Sequence, residues 1–164
     1  MKEMIKKVKE RREGFTMAEL LIVVAIIAVL VAIAIPVFNS QLGKAQASTD
    51  AANIRSGYAV VSAQVITEDE APADGATYYL MADGTVAAAT VSGSTVTAPT
   101  GTLYGCKGDS SKLEANSVVG NAKIVTGTPG ANEIKWDSND NVRYVWHAGS
   151  GSADGYIQIE IVSA

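Results

Sequence analysis

The sequence predicts an α+β chain in which one long N-terminal helix lies on an antiparallel β-sheet. Three observations carry that expectation. Residues 20–35 are sixteen apolar residues without interruption. Ala47, Ala51, Ile54, Tyr58, Val61 and Val65 then recur at steps of three and four, the spacing of one face of a helix. Farther on, short segments rich in Val, Ile, Thr and Tyr are separated by Gly, Asp, Asn and Pro, and in residues 155–162 Ile157, Ile159 and Ile161 alternate with Gln158 and Glu160. With 164 residues, 48% hydrophobic but only 6% aromatic, the chain has room for one membrane or filament helix and one modest core.

Charge is divided along the chain. Residues 1–14 carry six Lys or Arg against three Glu, whereas residues 15–164 carry seven against fourteen Asp or Glu, in a chain of net charge −4. No basic stripe is left after the leader to neutralise phosphates, so nucleic acid is not a predicted partner of the head. Lys2, Lys6, Lys7, Lys9, Arg11 and Arg12 stand just before the apolar run, and Lys44 is the first basic residue after it. That asymmetry predicts a cytoplasmic N-terminus and an exported remainder.

As a helix, residues 15–38 rise about 36 Å, enough to cross a hydrocarbon core of about 30 Å. Glu19 interrupts their apolar character. An ionised carboxylate there costs on the order of 2.5–3.5 kcal/mol on insertion scales and calls for a partner. A basic segment followed by an apolar one is also the layout of a secretory signal, and Ala32-Ile33-Ala34 offers a cleavage site. Yet the run is longer than the roughly 7–15 residues of an ordinary signal, and Glu19 would weaken a segment whose only task is hydrophobicity. A plain single-pass anchor accounts for the length but not for Glu19. Thr16-x-x-Glu19 is in addition a capping box, in which hydroxyl and carboxylate satisfy free N–H groups at a helix start.

The stretch Gly14-Phe15-Thr16-Met17-Ala18-Glu19-Leu20, preceded by a charged leader, resembles the class III leader and first residues of type IV pilins and pseudopilins. It matches their G-F-T-x-x-E-L pattern without gap or substitution, and the resemblance covers residues 1–54. It implies the type IV pilin fold, cleavage by a prepilin peptidase between Gly14 and Phe15, and N-methylation of the new Phe15 amine. It further implies a helical homopolymer, most simply of a major subunit, in which the Phe15 amine of one subunit lies beside Glu19 of its neighbour. Pairing would turn a costly charge into a device for register. A platform protein and an assembly ATPase are the other implied partners. The implied location is the cytoplasmic membrane before assembly and a cell-surface filament afterwards, with roles in adhesion, motility or biofilm formation. Two alternatives share parts of this pattern: a pseudopilin of a secretion or DNA-uptake machine, and a monomeric membrane-anchored binding domain.

The expected layout is a removable leader (residues 1–14), a membrane or filament-core half of the helix (15–38), an amphipathic half packed on the head (39–66), and a β-rich head (67–164). Pro36, which must delete one intrahelical hydrogen bond, predicts a kink between about residues 33 and 43. Glu68-Asp69-Glu70, Pro72 and Gly75 are expected to end the helix. Residues 77–81 and 85–90 are expected to form a hairpin around Ala82-Asp83-Gly84, and the Ser/Thr/Gly-rich stretch 91–102 an exposed loop. A short helix is expected over 110–116 with Asp109 as its cap. Later strands are expected at 122–126, at 133–136 paired in a hairpin with 142–146, and at 155–162.

Little in the head suggests chemistry. Asp137-Ser138-Asn139-Asp140-Asn141 is rich in oxygen ligands and loosely resembles the calcium loop of major pseudopilins. It lacks EF-hand spacing and is read first as a turn, in which Asn and Asp tolerate left-handed backbone. Asp137, Asn139 and Asp140 are the candidate metal ligands. A lone Cys106 permits no intrachain disulfide and reads as a small buried side chain, a departure from the many pilins of double-membraned bacteria whose C-terminal loop is closed by a disulfide. A lone His147 leaves no His cluster, and no cofactor or enzymatic activity is predicted.

Overall fold

The structure, a computed structural model, describes residues 15–67, 72–113, 117–119, 122–124, 133–149 and 155–163. The chain divides into two units, Met1–Ser40 and Gln41–Ala164. The leader, including Gly14, the acidic run 68–70 and residues 114–116, 125–126 of the expected elements lie outside the described residues.

One helix, α1 (Met17–Thr67), accounts for 51 residues and carries Pro36 inside it. Proline removes one N–H from the ladder, and the residues on both sides of Pro36 keep helical backbone. In the first unit every described residue is exposed, among them Leu21, Ile22, Leu30 and Ile33. Surface of this kind is covered by lipid or by other helices, not by water.

In the second unit, α1 meets the head through one stripe. Ala47, Ile54 and Val61 are wholly buried, and Ala51, Tyr58 and Val65 pack against the same core. The opposing surface comes from a four-stranded antiparallel sheet. Its strands are β1 (Thr77–Leu80), β2 (Val86–Ala88), β8 (Asn141–His147) and β9 (Tyr156–Val162), in the order β2-β1-β8-β9. Val142 and Tyr144 alternate inward from β8, and Tyr78 and Leu80 from β1. Tyr79, on the other face of β1 by the pleat of a strand, pairs in register with Arg143, whose Nε donates to Glu160 across β8 and β9 at 2.6 Å.

Tyr144 reaches the helix, and its hydroxyl donates to the carbonyl of Ile54 at 2.7 Å. Gly57 makes room for it: a Cβ at that position would overlap the Tyr144 ring and hydroxyl. Gly57→Ala is therefore expected to destabilise the head by about 1–3 kcal/mol, the usual cost of overpacking. Chemical denaturation of the two proteins side by side measures that difference.

Several expectations hold in detail. β1 and β2 pair antiparallel around residues 82–84, with Gly84 at φ +84°. Asp109 caps as expected, its Oδ1 accepting the Ser111 N–H at 2.7 Å, although the helix expected over 110–116 is only a 3-10 turn at Ser110–Lys112 that ends at the extended Leu113. The last strand spans Tyr156–Val162.

Three expectations need correction. The stretch 91–102 is not all loop, because β3 (Thr90–Ser92) and β4 (Thr95–Thr97) close an exposed hairpin through Gly93 at φ +59°. The alternation Thr-Val-Ser and Thr-Val-Thr suffices for two short β-branched strands. The hairpin expected between 133–136 and 142–146 does not form. Instead β7 (Glu133–Ile134) pairs parallel with β6 (Ala122–Ile124), which pairs antiparallel with β5 (Ser117–Val119). The reason lies in where residues 136–140 spend their backbone groups. The Trp136 carbonyl accepts from the Ser110 N–H and hydroxyl, and the Trp136 N–H donates to that hydroxyl. The Asn139 N–H donates to the Cys106 carbonyl, and the Asp140 carbonyl accepts from the Cys106 N–H. Once these groups are committed to 106–110, β8 is left to pair with β1 and β9. The parallel β6–β7 pair is the third departure, since the sheets of the head were expected to be antiparallel throughout.

Candidate functional site

The helix start is built as a reciprocal box. The Thr16 N–H and hydroxyl donate to Glu19 Oε2 at 2.9 and 2.8 Å, and the Glu19 N–H donates to Thr16 Oγ1 at 3.3 Å. The Leu20 N–H closes onto the Thr16 carbonyl at 3.2 Å. Two orphan donors at the helix N-terminus are thereby satisfied, as a capping box should. Glu19 Oε1 takes no part in the box. Phe15 precedes it, 74% exposed, and the exposed apolar side chains follow at once. The helix is long and apolar enough, by length and composition, to cross a membrane.

This arrangement places a carboxylate at the very start of an apolar surface. Capping uses one of its oxygens, and among the described residues the other accepts no hydrogen bond. Pro36, 17 positions farther along α1, touches none of this machinery.

In the head, the sequence-predicted candidates fall into structural roles. Ser138 and Asn139 form a turn, with Asn139 at φ +76°, and Asp140 Oδ2 accepts the Asp137 N–H at 2.8 Å. Among the described residues no group of three or more His, Cys, Asp or Glu is placed to hold a metal ion. His147 ends β8, stacked on Tyr156 at 4.8 Å between ring centroids, with its Nε2 at 2.9 Å from Gln158 Oε1. Cys106 is buried, and burial, followed by the negative charges of Asp50 and Asp140, pushes its thiol up to about 12. At pH 8 only about one thiol in ten thousand is then ionised, and the thiolate is the reactive form. Native protein is expected to resist iodoacetamide and unfolded protein to take one label, which intact mass measures.

Sequence reasoning missed one residue that matters. Asp50 is fully buried, on the same stripe as Ala47, Ile54 and Val61. Its carboxylate accepts from the Tyr104 hydroxyl at 2.6 Å, from the Lys107 N–H at 3.0 and 2.9 Å, and from the Gly108 N–H at 2.7 Å. The Asn53 amide donates to the same Tyr104 oxygen at 2.7 Å. Burial, with the bond to Asp50 adding to it, raises the Tyr104 hydroxyl far above its ordinary value, so it stays a donor. A buried carboxylate that accepts from three donors is a satisfied polar core. The signal was present in the spacing, since position 50 lies three after Ala47 and four before Ile54.

Against known proteins, residues 10–35 match the family described as the prokaryotic N-terminal methylation motif. A stretch of 57 residues, 33% of this chain, is 46% identical to a protein named as the type IV narrow pilus major component PilA5 of Thermus thermophilus. The match spans 49% of that relative, so the chain covers about half its length. No solved structure matches.

Proposed function

We propose that this type IV pilin-like chain is made as a prepilin, cut between Gly14 and Phe15, and polymerised through α1 into a pilus filament as a structural subunit. The observation that carries the reading is the Glu19 carboxylate, seated in its capping box at the head of the exposed apolar half of α1, inside the methylation motif. The partial identity to a named pilus component supports it.

The physical logic runs from the helix outward. Before assembly, lipid covers residues 20–35. Once the subunit leaves the bilayer, only the equivalent helices of neighbouring copies can keep that surface from water. Helices packed this way are greasy all round and can slide, and apolar contact alone specifies register poorly. Cleavage after Gly14 supplies what is missing, a cationic amine on Phe15. In a bundle, that amine reaches Glu19 of the next subunit, on the oxygen the box leaves unused. Because an unpaired charge in an apolar bundle costs several kcal/mol, one axial offset is selected over the others. Methylation keeps the amine charged while adding apolar surface, and the processing enzyme would be a prepilin peptidase with methyltransferase activity. A platform protein and an ATPase would supply the work of extraction, and the head would remain outside on the filament surface.

The N-terminal residue of the mature protein tests this. Phe15, carrying a methyl group, is expected by mass spectrometry of purified protein; an N-terminus at Ile35 or an intact Met1 would contradict the processing step.

A further inference from the structure

The head is acidic overall, yet its basic residues are not spread evenly. Of the seven Lys and Arg beyond Gly14, four are Lys44, Lys107, Lys112 and Lys135, all exposed, and the fold gathers them at one end of the second unit. The loop 106–112 lies along the first turns of α1 in this unit. The Lys107 and Gly108 N–H groups are bound by Asp50, and Gly108 is pressed so closely on Gln46 and Ala47 that a Cβ there would overlap their backbone. A Cβ on Gly43 would lie 3.7 Å from Lys112 Cγ, which sets that lysine stem against α1 at the residue before Lys44. Lys135 is held to the same place because its neighbour Trp136 is hydrogen-bonded through both backbone groups to Ser110. Asp109 stands between them, its carboxyl held below the usual range by bonds from Ser111 and then by the charges of Lys112 and Lys135. Among the described residues none of the four lysines has a carboxylate within ion-pair distance.

Gly43 is five residues beyond Phe38, where the apolar segment ends. Chain connectivity alone keeps it within about 18 Å of that point in any conformation. Lys44, next to Gly43, and Lys112, whose Cγ lies against that glycine, are therefore kept near the point where the chain emerges from the hydrocarbon, and an anionic headgroup layer is what ammonium groups meet there. We propose that Lys44, Lys107, Lys112 and Lys135 form a docking surface for anionic phospholipid headgroups, which holds the head against the bilayer while the subunit waits to be assembled. The inference rests on residues 20–35 spanning the membrane. Each lysine near an anionic surface contributes on the order of fivefold to association, and the effect is screened by salt. A surface that binds headgroups in the membrane and lets go in the filament lets extraction trade lipid contacts for subunit contacts.

The test uses the full chain in vesicles of phosphatidylcholine alone or with phosphatidylglycerol, probed with an amine-reactive reagent and read by peptide mass spectrometry. Labelling at the four lysines is expected to fall about threefold or more in the anionic vesicles, and to recover in high salt. The double variant Lys112→Glu with Lys135→Glu should abolish the lipid dependence at Lys44 and Lys107. Equal labelling in both vesicle types overturns the proposal, as does protection that appears only at high protein-to-lipid ratio, which would assign the surface to another copy of the chain. Flotation with neutral vesicles separates the two levels: protein that floats without lipid-dependent labelling fails this inference alone, whereas protein that does not float fails the membrane reading beneath it as well.

Discussion

Glu19→Ala is expected to lower filament yield on the order of a hundredfold while leaving the subunit in the membrane. In the proposed filament, removing one member of a buried pair would strand the other, the Phe15 amine of the neighbour, at about 3–5 kcal/mol. The substitution also breaks the capping box, which is worth about 1 kcal/mol. Glu19→Gln separates the two roles. Glutamine at this position still completes a capping box, but it carries no charge. If the carboxylate acts between subunits, Glu19→Gln loses filaments nearly as completely as Glu19→Ala, as counted by electron microscopy of sheared surface material. Filaments at normal yield from the Gln protein would mean that helix capping is the whole function of Glu19. A monomeric membrane-anchored domain would be displayed equally well by all three proteins.

Asp50→Ala is expected to be the most damaging substitution in the head. It leaves the Tyr104 hydroxyl and the Lys107 and Gly108 N–H groups buried or half-buried without their acceptor. Stranded donors cost about 1–3 kcal/mol each, so a total loss of about 3–5 kcal/mol is expected, or roughly 15–30 °C in Tm for a domain of this size. Tyr104→Phe removes only one of the bonds and should cost about 1–2 kcal/mol. Thermal unfolding of the full chain in detergent, followed by near-ultraviolet circular dichroism, gives both values. Equal stability of wild type and Asp50→Ala would show that the carboxylate is not what fastens the loop 106–110 to the helix.

The helix was legible because its signals are local. Sixteen apolar residues and a stripe at steps of three and four define α1 and the face it buries, and Thr16 with Glu19 define its start. The β1–β2 hairpin and the β9 strand were legible for the same reason, one from a Gly-containing turn and the other from strict alternation. What could not be read was pairing that depends on distant partners. Residues 133–136 and 142–146 look like two arms of a hairpin, but Ser110 and Cys106, some thirty positions upstream, hold the connecting backbone and redirect both. Asp50 was passed over because an acidic residue on a helix is ordinarily solvated. Its burial follows from donors contributed by residues 104–108, more than fifty positions away. The placement of the lysines belongs to the same class, since Lys112 and Lys135 flank Asp109, and Lys112 lies against Gly43, only through the packing of the loop 106–112 on α1.

The proposed filament depends on one contact between subunits, and filaments mixed from two isotopically labelled pools test it most directly. One pool carries nitrogen-15 at the Phe15 amine, the other carbon-13 at the Glu19 carboxyl, so that only contacts between different subunits are seen. Solid-state NMR is expected to report transfer corresponding to an amine–carboxylate separation of about 4 Å, the reach of an ion pair. Intact filaments in which no such transfer occurs would contradict the account, because the charge would then have found its partner within its own chain or not at all.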